Sequence, residues 1–284
     1  MRAFLVAVVF LCLLSSGKSC ADDLTAESIR EKVIVAYATA PTYKTQGIES
    51  TLMEVQGKKI PTSAEFTVVL KKPALYRISW KSSGPFSGVL WNDGGEPSLY
   101  LDQGNEYSKM KTDVEAMFTT AQINGGMALM ISSLFFDQLK MPSPLKHWDV
   151  IERAPDEYVD GVDCYVISGK TPVSEKETIW VSKVNYFILR YDHSLRPPSG
   201  ENGVPGLSDK SLEYSLQADG VEVIEERKMM IREQIQHDRK TLMDQHFGGI
   251  VKQKYYDITT PDLNLKDFHY QLPEGAILKE SVFQ

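Results

Sequence analysis

The sequence predicts an α+β fold in which an antiparallel sheet is begun, interrupted by a broken apolar helix, and resumed towards the end of the chain. Three observations predict it. Residues 65–70 and 75–80 alternate in polarity with a period of two, as half-buried strands do. Lys71-Lys72-Pro73-Ala74 and Asn92-Asp93-Gly94-Gly95 carry the chemistry of tight turns between such strands. Over residues 112–139 the period lengthens to that of a helix.

At the start, Arg2 is followed by an unbroken apolar run over residues 3–14 and then by small and polar residues up to Ala21. This order is that of an export signal peptide, residues 1–21. A permanent helical anchor needs about 20 apolar residues, so the run is too short to remain in a membrane. Cleavage near Ala21, with Ser19 and Ala21 as the small residues, places residues 22–284 in the periplasm as one domain. The alternative is a lipid anchor on Cys20, but Gly17-Lys18-Ser19 before it lacks the expected aliphatic residue and adds a charge.

Removing Arg2 and Lys18 takes the formal charge from −7 to −9. So acidic a surface argues against nucleic acid as a partner. Of the three cysteines, Cys12 lies in the signal and Cys20 at its edge, which leaves Cys164 and no disulfide framework. Stability must come from a packed core, which a chain of this size can bury.

Residues 24–40 place Leu24, Ile29, Val33 and Tyr37 on one helical stripe, with Thr25 as N-cap, Glu27 beside the positive helix end, and Pro41 as the stop. Residues 43–107 then read as successive strands, among them Phe66, Val68 and Leu70 against Tyr76, Ile78 and Trp80, and two more around residues 88–91 and 98–102. Within 112–139, Val114, Met117, Phe118 and Ala121 form one apolar face and Met127, Met130, Ile131 and Leu134 another, parted by Asn124-Gly125-Gly126. Strands resume over 158–168 around Asp160-Gly161, then at 179–181 and 186–191. Residues 197–209 read as a loop, and Ser208 caps a short helix carrying Leu212 and Leu216 that ends at Gly220. Residues 223–245 form a charged helix with Ile224, Ile231, Ile235 and Leu242 as its stripe, which makes residues 208–247 an added helical segment. Residues 250–258 and 268–272 return to strand, and the chain carries neither a repeat nor a linker.

Three stretches carry a resemblance: residues 66–80, FTVVLKKPALYRISW; residues 89–94, VLWNDG, leading to Leu99-Tyr100-Leu101; and residues 267–276, DFHYQLPEGA. Their order, with a broken apolar helix between the second and third, resembles the LolA-like family of outer-membrane lipoprotein-sorting carriers. That resemblance implies a strongly curved antiparallel sheet, an incomplete β-barrel whose mouth is plugged by a helical lid. It implies that Val68, Leu70, Tyr76, Ile78 and Trp80 face a lipid-binding cavity and that Met117, Phe118, Met127, Met130 and Leu134 line the lid. Gly125 and Gly126 would be the lid's hinge. The family often has an arginine before the hairpin proline as a lid latch, where this chain has Lys72, a point charge rather than a planar fork. The partners implied are lipid or lipoprotein acyl chains, together with membrane-associated donor and acceptor proteins, for a monomeric carrier. The same scaffold type also serves envelope sensors, so a second reading is an interaction or stress-sensor protein that binds a protein partner, with the helix at 222–245 as its contact.

Nothing in the sequence nominates an enzyme, a metal site or a cofactor. His147, His193, His237, His246 and His269 form no metal-type pair on one helix face. There is no Gly-x-Ser-x-Gly elbow and no phosphate loop, and Cys164 reads as a small buried hydrophobe in a strand. The carboxylate pairs Asp156-Glu157 and Glu225-Glu226 read as solvated.

Overall fold

A computed structural model describes residues 24–84, 86–127, 129–141, 143–148, 150–171, 174–195, 224–233 and 248–280. The predicted signal peptide, its Ala21 and Cys20, the loop at 197–209 and the helix at 208–220 lie outside these residues.

The chain opens with helix α1 (Ala26–Thr39), capped as its sequence requires: the Thr25 hydroxyl accepts from the Ser28 amide at 3.2 Å. Ile29, Val33 and Tyr37 are fully buried along one stripe. Six strands follow: β1 (Thr42–Val55), β2 (Lys58–Lys71), β3 (Leu75–Ser82), β4 (Gly88–Asn92), β5 (Ser98–Leu101) and β6 (Glu106–Lys109). Two short helices, α2 (Asp113–Ile123) and α3 (Leu129–Phe135), interrupt the strands at the predicted break. Four more strands come next: β7 (Ile151–Val159), β8 (Val162–Thr171), β9 (Ser174–Ser182) and β10 (Ile188–Ser194). Residues 225–233 are helical, within the predicted 223–245. Strand β11 (Gly248–Thr259) and the two-residue β12 (Ile277–Leu278) complete the chain.

The twelve strands among the described residues join in one sheet, in the order β12-β6-β5-β4-β3-β2-β1-β11-β10-β9-β8-β7. Every neighbouring pair is antiparallel except β12 with β6, which is parallel. The terminal strands β12 and β7 do not pair with each other, so the sheet curls into an incomplete barrel and stays open. Its inner face and helices α1, α2 and α3 bury one apolar cluster that runs from Leu101 on β5 to Ile167 on β8. Both predicted turns are found, the first between β2 and β3 and the second between β4 and β5. Edge strand β7 carries a bulge between Ala154 and Glu157, at Pro155.

One predicted strand is absent. Residues 268–272 do not pair into the sheet, although Phe268, Tyr270 and Leu272 have a strand's spacing. They follow a 3-10 turn, Leu265–Asp267, and lie as a strap on the outer face. There Phe268 is fully buried with Val69 and Leu263, and the Tyr270 ring packs on Trp91 and Tyr100 at centroid distances of 5.2 and 5.7 Å. Side-chain burial against the sheet's back replaces ladder bonding, which a period of two cannot distinguish.

At the centre of β1, Gly47 lies where the Phe66 ring crosses the strand, and a Cβ there would sit 2.2 Å from the ring and 2.6 Å from the Lys254 carbonyl oxygen. Gly47→Ala should lower unfolding stability by about 1–3 kcal/mol, as an overpacked core position does. Denaturant unfolding that shows no loss would mean that Phe66 does not cross the strand as described.

Candidate functional site

The inner face is set by alternation on neighbouring strands. Phe66, Val68 and Leu70 on β2 stand opposite Trp80, Ile78 and Tyr76 on β3, and all six are buried. Leu90 and Leu99 continue the face across β4 and β5. Over this surface lie α2, packed against β4 and β5, and α3, packed against α1. Met117, Met127, Met130 and Leu134 point into the same cluster, each at most 2% exposed. Nine of the ten residues predicted to meet cargo are thus brought together; Phe118 is only half-buried and stands apart from the cluster.

That interior is filled. The lid side chains, joined by Phe135 and Phe136, occupy the concave face themselves. Phe135 and Phe136 meet edge to face at 4.9 Å, and Phe136 meets Tyr76 in the same manner at 6.0 Å. None of three surface grooves, of about 410, 490 and 300 Å³, is lined by a lid residue.

Polar contacts hold the lid at both ends. At its start, Thr112 caps α2 by accepting from the Glu115 amide at 3.1 Å. The Asp113 carboxylate next to it accepts from the Tyr76 hydroxyl at 2.9 Å and from Asn92 Nδ2 at 2.8 Å, which ties α2 to β3 and β4. Burial, and then the charge of Asp113, hold the Tyr76 phenol well above its ordinary range. At the far end, Gln138 Nε2 donates to the Pro73 carbonyl in the β2–β3 turn. Lys72, in the same turn, donates from Nζ to the carbonyls of Tyr37 and Ala38 at the negative end of α1, and its ammonium sits 5.1 Å from the Phe135 ring centroid. Burial lowers the Lys72 pKa, and the Asp137 charge opposes that shift. The residue foreseen as a latch to the lid is thus bonded to α1 and touches the lid through a ring.

Between α2 and α3 the chain turns through Gly125 and Gly126, at φ +71° and +88°. Gly125 lies directly on Glu49: a Cβ at Gly125 would be 2.9 Å from Glu49 Oε1. Glu49 is only 6% exposed. Gln253 Nε2 donates to its Oε2 at 3.0 Å, Thr51 Oγ1 donates to its Oε1 at 3.2 Å, and Tyr255 donates to Gln253 Oε1 at 2.5 Å. Desolvation by burial, opposed by these two hydrogen bonds, raises the Glu49 carboxyl from its ordinary 4.5 to about 7. Sequence reasoning missed this carboxyl because β1 contradicts its own pattern. The apolar Ile48 and Leu52 are 40% and 42% exposed, while Glu49 takes the buried inner position. The cue available was register with Tyr43, whose face Glu49 shares at even spacing. Asp113, Asn92 and Phe136 were missed as well.

Other titratable groups have structural surroundings. Burial lifts the Cys164 thiol to about 11 and lowers His193, stacked on Tyr191 at 5.0 Å, to about 4. His269 meets Asp93 at 2.8 Å; His237, His246 and the His147 side chain lie outside the described residues. The carboxylates read as solvated are exposed, and three of the four also have partners. Asp156 bridges Arg153 at 3.0 Å and Lys183 at 2.7 Å, Glu157 accepts from Trp180 Nε1 at 2.8 Å, and Glu225 pairs with Lys228 at 2.9 Å. Arg153 and Lys228 are local partners three residues away, whereas Lys183 and Trp180 come from more than 20 residues along the chain. Among the described residues, no three His, Cys, Asp or Glu side chains gather as metal ligands do, and no helix is long and apolar enough to cross a membrane.

No model of a known protein family matches the chain, and no curated protein matches it. Solved structures similar to it include an uncharacterized conserved protein from Thermus thermophilus, 9% identical over 89% of this chain and 98% of that one, with a TM-score of 0.44. LprF from Mycobacterium bovis is 9% identical over 88% and 97%, at 0.41. A LolA-superfamily protein from Nitrosomonas europaea is 11% identical over 87% and 98%, at 0.34. At these identities and scores the likeness is one of general architecture and says nothing of cargo.

Asp113→Ala should release both Tyr76 and Asn92 and leave two buried donors unmatched, at a cost of about 1–3 kcal/mol. Hydrogen exchange should quicken at the amides of α2 and stay unchanged in β1 and β11; equal protection of α2 in both proteins would show that this tie does not hold the lid.

Proposed function

We propose that the chain is a periplasmic carrier that holds the acyl chains of a lipid or lipoprotein against the concave face of its sheet, beneath a lid formed by α2 and α3. The observation that supports this most is the match between an open, one-sided apolar sheet and a helical plug that covers it with methionine and phenylalanine side chains. An acyl chain of about 15 carbons could gain on the order of 12 kcal/mol by burial, at about 0.8 kcal/mol per methylene. Binding is therefore easy and release is hard.

A lid that fills the empty interior moderates this. Cargo must displace Met117, Met127, Met130 and the two phenylalanines before it gains their place, so only the difference in burial remains as affinity. Flexible thioethers suit such exchange because they repack against irregular chains. Three polar atoms of the lid also favour its departure: Thr120 Oγ1, Asn124 Nδ2 and Ser132 Oγ are buried with no partner among the described residues. Moving the lid outward lets water satisfy them.

A second reading, an envelope sensor or interaction protein, draws on residues 225–233, where adjacent Met229 and Met230 are 54% and 62% exposed on a charged helix. It predicts partner capture that is lost when this helix is deleted while acyl uptake persists.

The carrier reading predicts acyl species on gently purified protein by native mass spectrometry and saturable uptake of a fluorescent fatty acid. Tyr76→Phe, which removes only the hydroxyl donated to Asp113, should speed uptake several-fold. A ligand-free spectrum together with no uptake would defeat the reading.

A further inference from the structure

We propose that opening of the α2–α3 lid is coupled to loss of a proton from Glu49, so that the lid is closed over the neutral carboxyl and released when it ionises. The inference rests on the carrier reading, in which this lid admits cargo.

The geometry is that of a gate built on a buried acid. Glu49 faces inward from β1, while Gly125, in the lid turn that lies on its Oε1, is itself exposed. The turn therefore stands between the carboxyl and solvent, and a side chain at Gly125 would occupy the carboxylate's space. Around Glu49 stand Gln253 and Tyr255 from β11, Thr51 from β1, Ala64 opposite it on β2, and Gly125 from the lid. None of these is a cation. Tyr255 is the one other titratable group among them, and burial holds it well above its ordinary range. Gln253 and Thr51 each donate one hydrogen bond, too little to offset removal of a full charge from water.

The closed lid thus penalises the ionised form, and burial accordingly lifts the carboxyl to about 7. Once the turn moves away, water reaches Glu49 and its affinity for protons falls towards the ordinary value. The open state then binds fewer protons than the closed one, so opening is favoured as pH rises between those two values. An apolar residue would fill the same place at no such cost, and strongly shifted buried carboxyls cluster at functional sites.

The test uses the full chain. Lid opening is read as hydrogen exchange of the α2 and α3 amides at pH 6 and pH 8, corrected for the intrinsic rate, beside uptake of a fluorescent fatty acid at both values. Opening should be about tenfold more favourable at pH 8, and Glu49→Gln should abolish the difference. If that variant does not fold, by circular dichroism, the Glu49 side-chain carbon followed by NMR in the native protein must titrate near pH 7 together with lid exchange. Lid exchange independent of pH, or a pH response that Glu49→Gln retains, overturns the proton link even where fatty acid is taken up. Absent uptake at both pH values overturns the carrier reading instead, while the exchange data still decide the link.

Discussion

An antiparallel sheet with one apolar face must cover that face, and a sheet of twelve strands that curls without closing cannot cover it with itself. The rest of the molecule follows from this requirement. Helix α1 shields the end formed by β7 and β8, α2 lies over β4 and β5, and α3 joins them across the middle. The coverings differ in kind. Helix α1 is continuous and capped, and its Tyr37 hydroxyl accepts from the Ile188 amide at 3.1 Å, which makes it part of the wall. The other two are short, interrupted by glycines, and bound through a few polar contacts at their ends.

The contrast separates a continuous, capped cover from a short, interrupted one. Short helices have little stability of their own and depend on the surface they cover. Covered by α2 and α3, the concave face is saturated. The same contacts therefore stabilise the protein and satisfy the sheet's apolar face at once. Placing Glu49 under the glycine turn sets an electrostatic demand at the point where the cover bends.

Much of this was legible from periodicity and punctuation. Thr25 and Thr112 mark helix starts, the Lys72-Pro73 and Asp93-Gly94 turns join the strands they were expected to join, and the alternation on β2 and β3 identifies the inner face. Where alternation conflicts with register, the sequence misleads. In β1 the apolar Ile48 and Leu52 lie outward because Tyr43 and the pairing with β2 and β11 fix the face, which carries Glu49 inward. Residues 268–272 show the converse: their spacing is that of a strand, yet Phe268 and Tyr270 find partners on the sheet's back and the backbone never enters a ladder. Both cases depend on contacts with residues distant in the chain, which a local pattern does not contain.

An open sheet has two unfinished margins, each able to template another chain and seed aggregation. The bulge in β7 interrupts that margin where Pro155 supplies no amide hydrogen and Asp156 and Glu157 add negative charge. The opposite margin ends in two residues of β12, too short to nucleate a ladder. A molecule with this sheet can leave its barrel unclosed while denying its rims to polymerisation with copies of itself.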